Sequence, residues 1–191
     1  MHDTPAEPNV KLHKDVNGMP RKDDFHYRSL VGQLNYLMQS TRPEIQHAVH
    51  QCARFSDDPK HSHEVAAKRI VRYLKSTPDE GIILKPDKTQ GLTCYVDADY
   101  AGKWTVDRAL DPRACLSRTG YVIFYARNCP IIWSSKLQTT IALSTTEAEY
   151  VALSMSMQDV IYFMNLIDEM KKFGINLPQV PKPSINVYNF F

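Results

Sequence analysis

Two aspartates two residues apart, Asp97 and Asp99, stand in the run Thr-Cys-Tyr-Val-Asp-Ala-Asp-Tyr-Ala-Gly, residues 93–102. Cys94, Val96 and Ala98 alternate with Thr93, Tyr95, Asp97 and Asp99. That period of two predicts a strand with both carboxylates on one face. A carboxylate on a half-buried strand is costly, and a cation held between two of them offsets the cost. Hard divalent ions such as Mg²⁺ take oxygen ligands, usually one or two protein carboxylates together with substrate phosphate. The competing reading is an exposed strand end with two solvated acids. The residues alone leave both open.

Further acids lie in Leu143-Ser-Thr-Thr-Glu-Ala-Glu-Tyr-Val-Ala-Leu153. Ser144 with Glu147 and Thr146 with Glu149 form two overlapping capping boxes, which predict a helix start. A basic stripe lies earlier, where Lys68, Arg72 and Lys75 recur at i, i+4 and i+7 with Arg69 beside them. Such a stripe is either a solvated helix face or a phosphate-binding one. His47 and His50 are three apart on a helical stretch; polar-face histidines explain them better than a metal pair.

These groups need elements to position them. Residues 1–24 are polar and carry Pro5, Pro8, Gly18 and Pro20, which predicts a flexible lead-in. Residues 25–80 read as three helices. The first is Phe25 to Ser40, with Tyr27, Leu30, Val31, Leu34, Leu37 and Met38 on one face. Pro43 opens the second, and Ser62 suits the cap of the third, which runs to about Lys75. Residues 81–191 read as a mixed region. Gly81 to Lys85 is a short strand, and Leu92 to Tyr100 is the aspartate strand. A polar loop follows to Ser117. Thr119 to Ala126 and Ile131 to Lys136 are antiparallel partners, the latter extending to Leu143 at its longest. The long helix from Ser144 bears a ladder of Tyr150, Leu153, Met157, Val160, Met164 and Ile167. Lys171 and Lys172 suit its dipole, and Gly174 ends it. Ile185 to Phe191 is a last β-prone run. The expected fold class is α+β with α/β character.

The chain has 191 residues and a net charge of +2, so nucleic-acid contact would have to come from a local patch. Cys52, Cys94, Cys115 and Cys129 are widely spaced, which indicates neither a zinc site nor a disulfide scaffold. With no apolar run near 18 residues and no signal-peptide pattern, the expectation is a cytoplasmic or nuclear protein without membrane association.

The acidic stretches together resemble the ribonuclease H domain of copia-type retrotransposons. That family has an Asp-Ala-Asp-Trp-Ala-Gly-like strand, then a Trp-Ser-Ser-Lys run and a Ser-Thr-Glu-Ala-Glu-Tyr helix start. Here Trp133-Ser-Ser-Lys136 and Ser144-Thr-Thr-Glu-Ala-Glu-Tyr150 follow in that order. The helical region resembles the end of copia-type reverse transcriptases through Tyr27-Arg-Ser-Leu-Val-Gly-Gln-Leu-Asn-Tyr-Leu37, Thr41-Arg-Pro43 and Arg69-Ile-Val-Arg-Tyr-Leu-Lys75.

The resemblance implies an incomplete ribonuclease H-like domain after a helical reverse-transcriptase tail, with a last strand parallel to the first. It implies metal-dependent hydrolysis of RNA in RNA–DNA hybrids, with Mg²⁺ or Mn²⁺ held by Asp97 and Glu149. Glu149 is favoured because Glu149-Tyr-Val-Ala152 matches the Glu-x-x-Ala helix start of ribonucleases H at large. Glu147 matches the capping role better, and Asp99 is an accessory acid. The family's third acid falls in a Tyr-Glu-Asp-Asn run, where this chain has Tyr188-Asn-Phe-Phe191 with Phe190 in the aspartate's place. Its fourth, in a His-Ile-Asp run, would lie beyond Phe191. The expectation is a truncated domain that does not hydrolyse RNA efficiently by itself. The alternative is a non-catalytic nucleic-acid-binding or interaction protein of retrotransposon origin. An open sheet edge would favour self-association or pairing with other segments of the parent polyprotein.

Overall fold

The computed structural model describes residues 4–8, 10, 12–22, 25–87, 89–102, 113–175, 177 and 183–187. The chain divides into two compact units, Met1–Ile82 and Ile83–Phe191.

The first unit is helical. Helix α1 spans Tyr27–Ser40, α2 spans Gln46–Ala53 after a 3₁₀ turn at Pro43–Ile45, and α3 spans His61–Ser76. Their apolar stripes meet in one core, with Tyr27, Val31 and Leu34 from α1, Val49 and Cys52 from α2, and Ala67, Ile70 and Tyr73 from α3. The Tyr27 hydroxyl donates to the Cys52 carbonyl, and burial pushes the Cys52 thiol up to about 11. Ser62 does not cap α3. The Lys60 N–H is taken by His63 Nδ1 at 2.9 Å, which leaves the Ser62 hydroxyl to donate to Asp15.

The described residues 4–8, 10 and 12–22, expected as part of a flexible lead-in, form an irregular strap along α3. Ala6 and Leu12 pack on the helical core. Arg69 Nε donates to the Thr4 carbonyl, His63 Nε2 bonds the His13 carbonyl at 2.8 Å, and Lys22 N–H donates to Glu64. A polar segment thus gains order from side chains of the helix it crosses, a source of order that composition does not reveal.

The second unit is a four-stranded sheet with one helix. Strands β1 (Leu92–Asp99), β2 (Arg118–Tyr125), β3 (Cys129–Leu137) and β4 (Ser184–Val187) stand in the order β3-β2-β1-β4, and helix α4 spans Thr145–Lys172. β1 and β2 are antiparallel, β2 and β3 are antiparallel, and β4 is parallel to β1. The β-β-β-α-β order and the parallel return of β4 match the expectation, and the fold is α+β. Gly81–Lys85 forms no strand; Ile83 and Leu84 are exposed, so the segment lacks a face to bury.

Helix α4 packs on the sheet through Ala148, Ala152, Ser156, Val160 and Ile167. Of the expected ladder, Val160 and Ile167 are buried, whereas Tyr150 is 68% exposed. The face is set by small residues at four-residue steps, because Ala and Ser let the helix axis approach the sheet closely. Beneath it lie Leu92, Cys94 and Ile123. Gly174 ends the helix with φ of 81°, in the left-handed region.

Candidate metal centre at the end of the first strand

Strand β1 is flanked by β2 along its whole length and by β4 over Thr93–Val96, so among the described residues its C-terminal end is held by β2. Asp97 lies opposite Gly120 in the ladder, Ala98 opposite Thr119, and Asp99 opposite Arg118. The α4 side of β1 is identified by contacts. Cys94 lies against Ser156 of α4. Tyr121, opposite Val96, donates to Asp159. Tyr125, opposite Leu92, meets the Phe163 ring edge-on. Leu92, Cys94, Val96 and Ala98 therefore face α4, and alternation assigns Asp97 and Asp99 to the other face. Asp97 is half-buried and Asp99 exposed.

The glutamates arrive at the same end of the sheet. Two antiparallel steps make β3 run parallel to β1, so α4 begins near the C-terminal end of β1. Gln138, buried just past β3, ties this corner together. Its Nε2 donates to Thr119 Oγ1 at 3.1 Å and to the Ala148 carbonyl at 2.8 Å. Ala98, neighbour of both aspartates, is thus linked through Thr119 and Gln138 to Ala148, neighbour of both glutamates. Glu147 is engaged in the cap: Ser144 Oγ accepts its N–H at 3.1 Å, and its carboxylate accepts the Leu143 N–H at 2.7 Å. Glu149, one residue past the buried Ala148, is half-buried. At this corner Glu147 serves the helix cap, Asp99 is exposed, and Asp97 and Glu149 are half-buried.

Two polar groups here escaped the sequence reading. Arg118 is 7% exposed and donates to Ser135, placing a cation opposite Asp99, a favourable cross-strand arrangement. Gln138 is 1% exposed. Their only sequence signal was that each borders an alternating run. Deeper in the sheet, burial and then the Asp159 bond push the Tyr121 hydroxyl up to about 12. Asp159 is ten residues along α4 from Glu149, about 15 Å of helix rise, and belongs to that separate contact. Among the described residues, no three His, Cys, Asp or Glu side chains are grouped as a metal site. The Phe190 position lies outside the described residues.

The basic stripe of α3 divides. Lys68 Nζ lies 2.6 Å from Glu64 Oε1 and 5.6 Å above the Phe25 ring. Arg69 is bonded to Thr4, while Arg72 and Lys75 are exposed. His47 meets Gln51 of its own helix.

Comparison with known proteins places this geometry in a family. A retrovirus-related Pol polyprotein from transposon RE1 of Arabidopsis thaliana is 38% identical over 178 residues, 93% of this chain. One from transposon TNT 1-94 of Nicotiana tabacum is 39% identical over 144 residues, 75% of this chain. The chain belongs to the copia-type retrotransposon Pol family. It spans 11% of the RE1 polyprotein and 10% of the TNT 1-94 polyprotein. The Pol-family chain also resembles secreted RxLR effector protein 161 of Plasmopara viticola, at 40% identity over 136 residues, 71% of this chain and 89% of that protein. No protein-family model matches the chain, and no solved structure matches it. Among the described residues, no helix is long and apolar enough to cross a membrane.

Proposed function

We propose that this Pol segment carries the end of the reverse transcriptase and the metal-binding corner of a ribonuclease H-like domain, whose parent hydrolyses RNA in RNA–DNA hybrids inside the cell. The observation that carries the reading is the tie from Ala98 through Thr119 and Gln138 to Ala148. It supports the reading by linking the strand that carries Asp97 to the helix start that carries Glu149. Carboxylate oxygens are the donors that Mg²⁺ and Mn²⁺ prefer, so the side chains fit the ion. Asp97 and Glu149 would hold it, with Asp99 accessory. When bound, such an ion supplies an activated water and charge stabilisation at a phosphodiester. Arg72 and Lys75 offer exposed cations to a phosphate backbone, and hybrid binding through them would weaken with salt.

Turnover is a separate matter. In-line phosphodiester displacement uses two ions roughly 3.5–4 Å apart, which calls for several converging acids. Two half-buried carboxylates suit one loosely held ion, so the chain alone binds hybrid and cation without efficient cleavage. The test is the purified chain on a labelled RNA–DNA hybrid with Mg²⁺ and with Mn²⁺. Cation-dependent hybrid binding without cleavage supports the reading. Cleavage that vanishes in Asp97→Asn would confirm the site and overturn the inactivity. Binding of neither hybrid nor cation would return the domain to a purely structural role.

A further inference from the structure

We infer that Gln138 is the positioning residue of the proposed metal site and fixes the spacing between the β1 aspartates and the α4 glutamate; the inference rests on the function proposed above. Gln138 bonds the α4 acid-bearing segment directly and reaches the β1 segment through Ser117 and Thr119. Its backbone N–H donates to the Ser117 carbonyl at 2.8 Å, and the Ser117 hydroxyl accepts the Ala101 N–H at 3.1 Å. Ala101 lies two residues past Asp99, in a turn where it adopts φ of 49°. On the other side, the Gln138 amide reaches the Ala148 carbonyl and Thr119 Oγ1. Ser117 and Thr119 are fully buried, so water does not compete for these bonds.

The amide's own energetics argue against a space-filling role. Among the described residues no protein group pairs with its buried Oε1, and an acceptor left unpaired by protein costs free energy. Met or Leu would fill the same volume without that cost. What only an amide-bearing side chain of this length supplies is a double donor spanning β2 and the first turn of α4. The Ala148 carbonyl immediately precedes Glu149, so the bond sets the register of that glutamate relative to the sheet. Losing it frees the first turn of α4 to slide or fray, and a site built on two principal carboxylates has little with which to compensate.

A stability role and a positioning role make different predictions for Gln138→Met. That variant removes both donated bonds and the unpaired oxygen together, so its melting temperature stays near that of the native chain. Its Mn²⁺ affinity, read from the loss of the six-line electron paramagnetic resonance signal of free Mn²⁺, falls at least fivefold. Thr119→Val is the second variant. It removes one acceptor, keeps the bond to Ala148, and weakens Mn²⁺ binding by a smaller factor of about two. If both variants bind Mn²⁺ as the native chain does, the positioning role is overturned. Should Gln138→Met fail to fold, native affinity in Thr119→Val overturns it. Asp97→Asn separates the two layers of argument: native binding that survives this substitution, or no native binding at all, overturns the metal site itself.

Discussion

Both units carry acids at helix starts, and they treat them in opposite ways. In the helical unit Glu64, in the first turn of α3, has its side chain 1% exposed and is surrounded by donors. Lys22 N–H lies at 2.9 Å, Lys68 Nζ at 2.6 Å and His61 Nδ1 at 3.4 Å. Chiefly through the Lys22 bond, its carboxyl is held below the usual carboxylate range. In the sheet unit Asp97 and Glu149 stand half-buried at the rim. The contrast teaches what burial alone does not: an acid held by several internal donors, as Glu64 is, is structural, and the proposed metal site draws on acids at the half-buried rim.

The largest effect that would break this contrast is in stability. Glu64→Gln should give the greatest loss of thermal stability among the acid-to-amide changes, because it leaves Lys68 without its counter-charge and weakens the tie to the strap. Asp97→Asn should stay within about 0.5 kcal/mol of the native chain, or stabilise it, as substitutions away from saturated networks do. Denaturant melts of the two variants decide; equal losses would erase the distinction.

Next in size is Ala152→Leu. The α4–sheet contact depends on small side chains, so the added bulk should cost about 1–3 kcal/mol. Leu153→Ala, on a half-buried position outside that stripe, should cost less in the same melts.

A smaller effect is pH-dependent and belongs to the helical unit. His63 is fully buried and stacked on Phe55 with ring centroids 4.4 Å apart. Its Nδ1 accepts from Lys60 N–H and its Nε2 is bonded to the His13 carbonyl, an arrangement that suits the neutral ring. Burial lowers its pKa below the ordinary 6.5. The unfolded imidazole then takes a proton at a higher pH than the folded one. Stability is therefore full above about pH 6.5 and falls with acidification towards the folded value, by at most about 1.4 kcal/mol per pH unit. The lowered carboxyl of Glu64 adds a further loss below its ordinary 4.5. His63→Gln, which keeps an acceptor and a donor, should flatten the dependence between pH 6.5 and 5; an unchanged slope would assign it elsewhere.

The smallest effect sharpens the stripe on α3. If Arg72 and Lys75 meet phosphate, replacing both with Ala should reduce the salt dependence of hybrid binding by about one unit of slope per cation. Lys68→Ala should change the slope less, since Lys68 is committed to Glu64. A slope indifferent to Arg72 and Lys75 would leave them as a solvated face.

Periodicity revealed the first strands of the sheet because β1 and β2 each alternate over eight residues, while β4 spans only four. It also revealed the helices, but not which side of α4 would be buried. The large apolar ladder drew attention, whereas closeness of approach selected Ala148, Ala152 and Ser156. The strap along α3 was illegible because its order comes from residues some forty to sixty-five positions away, as in the Lys22–Glu64 and Thr4–Arg69 bonds. At the candidate site, Asp97 and Glu149 were legible as types in a pattern. Gln138 was not, since a glutamine after a strand carries no signal until the chain folds and its amide meets Thr119 and Ala148. Glu147 was read correctly as a capping residue because the capping box is local.

The central claim is that Asp97 and Glu149 share one divalent ion at the end of β1. The most direct measurement is paramagnetic broadening of amide resonances in the ¹⁵N-labelled chain titrated with substoichiometric Mn²⁺. The account predicts broadening centred on residues 97–99 of β1 and 148–150 of α4 together, abolished in Asp97→Asn. Broadening confined to one of the two segments, or unchanged by that substitution, would contradict it.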